Sequence, residues 1–180
     1  LVVLGLHLAL QVASADERLV DAVVRDRDLA DLDLSGLDFK GARMSGANLY
    51  GVDLSNSVLK GADLSGAKLD RATVTRADFS GAKLAGATML RPTAFLPGLR
   101  GLNTRPSLAK DRADTPRFEG ADMRGFRAMA ILDGAVFRAA DLTGADFSPF
   151  EPPARGTISS LMRNNLNGAD FSATKLGNAN

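Results

Sequence analysis

A large apolar residue returns at every fifth position from Leu29 to Met89, and that spacing excludes most of the ways a chain can fold. The run is Leu29, Leu34, Phe39, Met44, Leu49, Leu54, Leu59, Leu64, Leu69, Val74, Phe79, Leu84 and Met89, thirteen sites with no polar residue among them. On an α-helix a step of five rotates each successive side chain by about 140°, which scatters the run around the cylinder. On a flat strand an odd step sends successive side chains to opposite faces. Either layout exposes half of the run or more. A chain that turns the same way after every five residues has no such conflict, because each short side can run small-in, polar-out, large-in before the next corner. Stacked coils of this kind point every large residue at one axis, so the period implies a solenoid.

The neighbours of the large residues fit this reading. Two positions earlier the residue is mostly alanine, as at Ala62, Ala67, Ala72, Ala77, Ala82 and Ala87. Two positions later it is mostly glycine, as at Gly36, Gly41, Gly46, Gly51, Gly61 and Gly66. A narrow tube that already holds one bulky group per side leaves room only for a small second one. A repeated corner asks for backbone dihedrals that glycine adopts most readily. The register resumes at Phe118 and Met123, breaks near Phe126 to Ala130, and continues at Leu132, Phe137, Leu142 and Phe147. It returns once more at Leu161, Leu166, Phe171 and Leu176.

The units GADLSG, GANLYG, RADFSG and GADFSA resemble the pentapeptide-repeat family, whose motif is A(D/N)LXX. The resemblance covers residues 27 to 91 and 116 to 178, with Val58 standing where the motif has Asp or Asn. It implies an all-β fold, a right-handed quadrilateral β-helix with about twenty residues per coil.

The first fifteen residues, LVVLGLHLALQVASA, stand outside the repeat. The apolar run followed by Ala13-Ser14-Ala15 reads as the hydrophobic region of a signal peptide, truncated at its start, with cleavage before Asp16. The alternative is an apolar cap on the first coil, which would leave the protein cytoplasmic. The run is too short to cross a bilayer comfortably, so no membrane span is expected in the mature chain. Export would place the protein in a periplasm or outside the cell. Residues 16–26 suit a short N-terminal α-helix with Leu19, Val20, Val23 and Val24 on one side, plugging the first coil. The solenoid is then expected over 27–180, with insertions at about 92–115 and 149–160. The last residues, Ala179-Asn180, begin a unit without its central leucine. Either the sequence is truncated there, or the final coil pairs with a partner or with a second copy.

Any recognition must come from the outside. Residues twenty apart should stack on one face, which places Tyr50, the only tyrosine, beside Arg71 and Arg91. The first insertion adds Phe95, Arg100 and Arg105, and these six residues form the candidate protein-contact surface. The rest of the exterior reads as a mixed, solvated surface.

Catalytic chemistry is poorly provided for. There is no cysteine, and the one histidine, His7, lies in the expected leader, which excludes His- and Cys-dependent nucleophilic arrangements and the usual zinc sites from the mature chain. Asp31-Leu32-Asp33-Leu34-Ser35-Gly36 opens like a calcium loop, but Ala42 stands where the loop needs a bidentate Glu. No cofactor is expected, and the chain reads as no enzyme. The leading reading is a non-catalytic structural or protein-interaction scaffold, exported, whose partner is another protein or a cell-envelope component. The family resemblance implies a second reading, because some members resemble B-form DNA and bind type II topoisomerases. Such mimicry needs a strongly acidic surface, whereas 22 basic residues here face 21 acidic ones, for a net charge of +1. The interspersed charges also argue against binding nucleic acid directly.

Overall fold

The computed structural model describes residues 28–90, 115–129, 132, 134–148, 166 and 169–180. Among them the fold is a four-sided solenoid. Parallel backbone bridges join residues twenty apart, from Asp28↔Asn48 through Asp53↔Thr73 to Lys68↔Thr88. The first side carries Asp28, Asn48, Lys68 and Thr88 outward, and the second Asp33, Asp53 and Thr73. The third carries Asp38, Val58 and Asp78, and the fourth Arg43, Asp63 and Lys83. No helix occurs among the described residues, and the expected leader and the helix within 16–26 lie outside them.

Each side is too short for a long ladder. Among the described residues one level gives regular strands, β1 (Thr88–Leu90) and β2 (Arg127–Met129), paired in parallel with Met89 opposite Ala128. Elsewhere two backbone bonds join each side to the next coil. Leu49 N–H donates to the Lys68 carbonyl at 2.9 Å, and Lys68 N–H donates to the Ala47 carbonyl at 3.0 Å. Corner amides continue the stack, as where Gly51 N–H donates to the Asp70 carbonyl at 2.8 Å. Backbone groups on the sides are thus satisfied between coils, which a lone turn could not achieve.

The corners show why the motif reads as it does. All described residues two positions after a bore residue have positive φ, twelve glycines and the seven others Asp31, Asn56, Arg71, Arg76, Ala139, Ala173 and Asn178. With the bond from Ala62 N–H to the Leu59 carbonyl (3.1 Å), this is the pattern of a type II turn, which favours glycine at its third position. Where Asp or Asn precedes a bore residue, it secures the same corner. Its side chain accepts the N–H two residues on, as Asp33 does from Ser35 (3.1 Å), Asp53 from Ser55 (2.9 Å) and Asp170 from Ser172 (2.9 Å). At Gly81 a new Cβ would meet nothing within 4 Å, so Gly81→Ala isolates the backbone term at φ +66°. That variant should lose about 1–2 kcal/mol in urea unfolding. Ala139→Gly, at φ 57°, should shift the other way. Its gain should be under about 1 kcal/mol, because glycine also loosens the unfolded chain.

The bore of the regular coils up to Met89 is filled. Leu49, Leu54, Leu59, Leu64, Leu69, Val74, Phe79, Leu84 and Met89 are all fully buried, with Ala62, Ala67, Ala72 and Ala77 beside them. The insertions do not disturb this order. Asp78 pairs with Arg117 and Lys83 with Asp122, so the chain returns to the columns it left. Phe79, Phe118, Phe137 and Phe171 therefore form one stack on the third side, with centroids 5.1, 5.1 and 5.0 Å apart and planes within 9°.

The break near Phe126 to Ala130 has two components. Arg117↔Val136 and Asp122↔Asp141 are nineteen apart, one residue fewer than a regular coil, and the short step lies between Ala128 and Leu132. In the same coil the two inward positions exchange sizes. Phe126 occupies the slot that alanine fills at Ala87 and Ala145, and Ala128 faces Met89 in the large-residue column. Both are buried, and Phe126 meets the tilted ring of Phe147 at 6.4 Å. The sequence reading supplied no bore residue between Met123 and Leu132, because it sought a large side chain where the structure uses a small one.

Candidate interaction surface

With the interior filled by hydrocarbon, the outer columns carry the polar chemistry. At the corner between the first and second sides, Tyr50 is 39% exposed and the Arg71 guanidinium lies over its ring, 5.8 Å from the centroid. That distance permits a cation–π contact, worth about 0.5–1 kcal/mol at an exposed site. Arg71 holds a positive φ of 58° there, where glycine would be less strained. Counting by twenty had placed these two residues together. Arg91, Phe95, Arg100 and Arg105 lie outside the described residues.

Two acidic residues missed in the sequence share this corner. The Asp31 carboxylate lies over Gly51, so close that a Cβ at Gly51 would collide with Asp31 Oδ1. Asp70 Oδ1 accepts the Leu90 N–H at 3.0 Å. The corner therefore gathers an aromatic ring, a guanidinium and two carboxylates. The same count that joined Tyr50 to Arg71 runs from Asp31 to Gly51 to Arg71, so the signal was available.

Elsewhere polar and charged side chains pair both across coils and within one. Asn48 Nδ2 donates to Asp28 Oδ1 at 2.8 Å, and Lys60 pairs with Asp78 at 3.2 Å. Arg124 engages both oxygens of Asp122, at 2.8 and 2.7 Å. Arg138 reaches Glu119 at 2.7 Å, with Arg117 on the other oxygen at 3.5 Å. Counting by twenty misses the Arg138–Glu119 pair, because the short step brings residues nineteen apart into register. Such exposed pairs add little stability each. Among the described residues, no group of three or more His, Cys, Asp or Glu side chains could hold a metal ion, and no helix is long and apolar enough to cross a membrane.

Five corner carboxylates, Asp63, Asp78, Asp122, Asp141 and Asp146, are held below the usual range. The Arg124 guanidinium does this at Asp122, outweighing partial burial and the repulsion of Asp141. The Thr143 hydroxyl and N–H do so at Asp141, and those of Ser148 at Asp146. At Asp63 and Asp78 burial is the largest influence and pushes upward, yet it is outweighed by bonds from Ser65 or Ser80 together with Lys83 or Lys60. A folded value below the unfolded one stabilises the protein above the unfolded value, and that stability is lost as pH falls through the folded one. The urea midpoint should therefore hold steady from neutrality to about pH 5 and decline below about pH 4. A midpoint that rose on acidification would contradict this.

A family model for pentapeptide repeats matches the chain in eight copies, over residues 18–56, 57–89 and 130–148. No curated protein matches. Among solved structures, a pentapeptide repeat protein from the Arabidopsis thaliana thylakoid lumen is 26% identical, covering 75% of this chain and 74% of that one, at a TM-score of 0.29. HetL, a pentapeptide repeat protein involved in heterocyst differentiation regulation from the cyanobacterium Nostoc sp. strain PCC 7120, is 26% identical over 86% of this chain and 76% of its own, at 0.27. Full-length QnrB1, a plasmid-mediated fluoroquinolone resistance protein, is 22% identical over 78% and 72%, at 0.29. The family rests on the repeat match and the period-five register rather than on these superpositions.

Proposed function

We propose a role for this chain from the premise that it belongs to the pentapeptide-repeat family. It is a non-catalytic scaffold, exported, that presents the outer columns of a right-handed β-helix to another protein or to a cell-envelope component. The observation that supports this best is the division of labour across the wall. Large residues such as Leu54, Leu59 and Phe79 are spent entirely on the bore, while Tyr50 and Arg71 remain at the surface against one another. Aromatic and arginine side chains are the types that most often anchor protein interfaces.

Export rests on the apolar run of residues 1–15 and its Ala13-Ser14-Ala15 ending. Fractionation of the full-length product with N-terminal sequencing tests it. The expected result is an extracytoplasmic protein beginning at Asp16, and an unprocessed cytoplasmic one would overturn export. The contact corner is tested by a Tyr50→Ser/Arg71→Gly double variant. It should lose partner retention without losing stability, since the second substitution relieves a positive φ.

A DNA-mimicking binder of type II topoisomerase fits less well. A net charge of +1 and acidic residues interleaved with basic ones give no phosphate-like array. Absence of any effect on gyrase supercoiling at micromolar protein is the expected result.

A further inference from the structure

We infer that the first side of the N-terminal coils, with the corner that follows it, is a contact face for a second copy of this chain, packed antiparallel about a two-fold axis at the level of Tyr50. The inference rests on the reading of the Tyr50–Arg71 corner as a contact surface, and it names one protein met there.

The charge pattern carries it. Two neighbouring columns each run acid, neutral, base down the first coils. On the first side these are Asp28, Asn48 and Lys68, joined by backbone bridges. At the corner they are Asp31, Gly51 and Arg71, whose levels are linked by Asp31 N–H to the Tyr50 carbonyl and Gly51 N–H to the Asp70 carbonyl. A two-fold axis lying across this face at the middle level sets each column against its own reverse. Asp28 then faces Lys68 of the second copy, and Asp31 faces Arg71 of the second copy, so opposite charges meet at both ends of both columns. The two Tyr50 rings meet at the axis, where an exposed aromatic side chain is a common anchor. Asp70, half-buried and bonded to the Leu90 N–H, faces only Ala30 of the second copy. The same operation sets Asp38 against Asp78 on the third side and Arg43 against Lys83 on the fourth, so it does not suit those sides.

These charges are also available. Asp28, Asp31, Tyr50, Lys68 and Arg71 are all exposed. Among the described residues, none of the charged ones enters an ion pair within the chain. Asp28 Oδ1 accepts from the Asn48 amide and the Ala30 N–H, which carry no charge, and Arg71 meets the Tyr50 ring. On the fourth side, by contrast, Asp122 and Asp141 are answered by Arg124 and Lys175 of the same chain. Asp31 and Arg71 both keep a φ of 58°, where glycine would be less strained, and such strain clusters at functional surfaces. The outer levels of the face lie only about 10 Å apart at normal strand spacing. The contact is therefore small, and the dimer should be weak and sensitive to salt.

Sedimentation equilibrium of the full chain should show monomer passing to dimer as protein approaches about 1 mM at low salt, and a return to monomer at about 0.5 M salt. Asp31→Arg and Arg71→Asp exchange residue types that this column already holds at positive φ, so both chains should fold. Each variant alone sets like charges across the axis and should associate at least about tenfold more weakly than the parent. An equimolar mixture of the two should recover the parent affinity to within about threefold, because the cations of one chain then face the carboxylates of the other. Asp28→Lys and Lys68→Glu repeat the test on the first side if either corner variant fails to fold. A chain that stays monomeric at low salt would overturn the inference. So would a mixture that fails to pair, or a dimer that the single variants leave intact and that therefore uses another surface. Retention of a different protein by Tyr50 and Arg71 without self-association would sink this inference and leave the proposed function standing.

Discussion

Phe118→Ala is expected to destabilise the protein by about 3–5 kcal/mol, the range for removing a fully buried phenylalanine. The ring is fully buried between Phe79 and Phe137 at 5.1 Å on each side, nearly parallel to both. The walls are held by inter-coil hydrogen bonds, such as Phe118 N–H to the Val136 carbonyl at 2.7 Å, so the site cannot collapse around a smaller side chain. Position matters as well as size. Phe118 belongs to the first bore level after the longer insertion, where the returning chain must regain its column. A loss below about 1 kcal/mol in urea unfolding would mean that the stack is not tightly held there.

The second large effect comes from the size exchange at Phe126 and Ala128. Phe126→Ala alone should lose about 3–5 kcal/mol, because it leaves small residues at both inward positions of one side. Ala128→Leu alone should lose about 1–3 kcal/mol by crowding a filled level between Met89 and Phe147. The double variant restores the order found elsewhere, small then large, at nearly constant volume. It should recover most of the sum, leaving a coupling of about 2 kcal/mol or more in a double-mutant cycle. Additive losses would show that the two sites do not share one space.

Both effects show where linear reading of this chain works and where it stops. The columns Leu49–Leu69–Met89 and Arg43–Asp63–Lys83 were legible because nothing interrupts the count of twenty across them. Tyr50 and Arg71 were legible for the same reason. Glu119 with Arg138 was not, since a one-residue shortening between Ala128 and Leu132 changes the count without changing any motif. Phe126 was not, because a volume exchange leaves the summed size of a side unchanged while hiding the expected pattern.

Spacing alone decided that this chain is a tube with a hydrocarbon bore and a polar skin. Apolar groups five apart can all leave water together only if the backbone turns a corner after each, and no contact between distant residues is needed to see it. Which residues become neighbours beyond an insertion or a missing residue was decided only in three dimensions. There the inter-coil hydrogen bonds and the stacking of rings bring the chain back to a column, whatever the number of residues it has passed on the way.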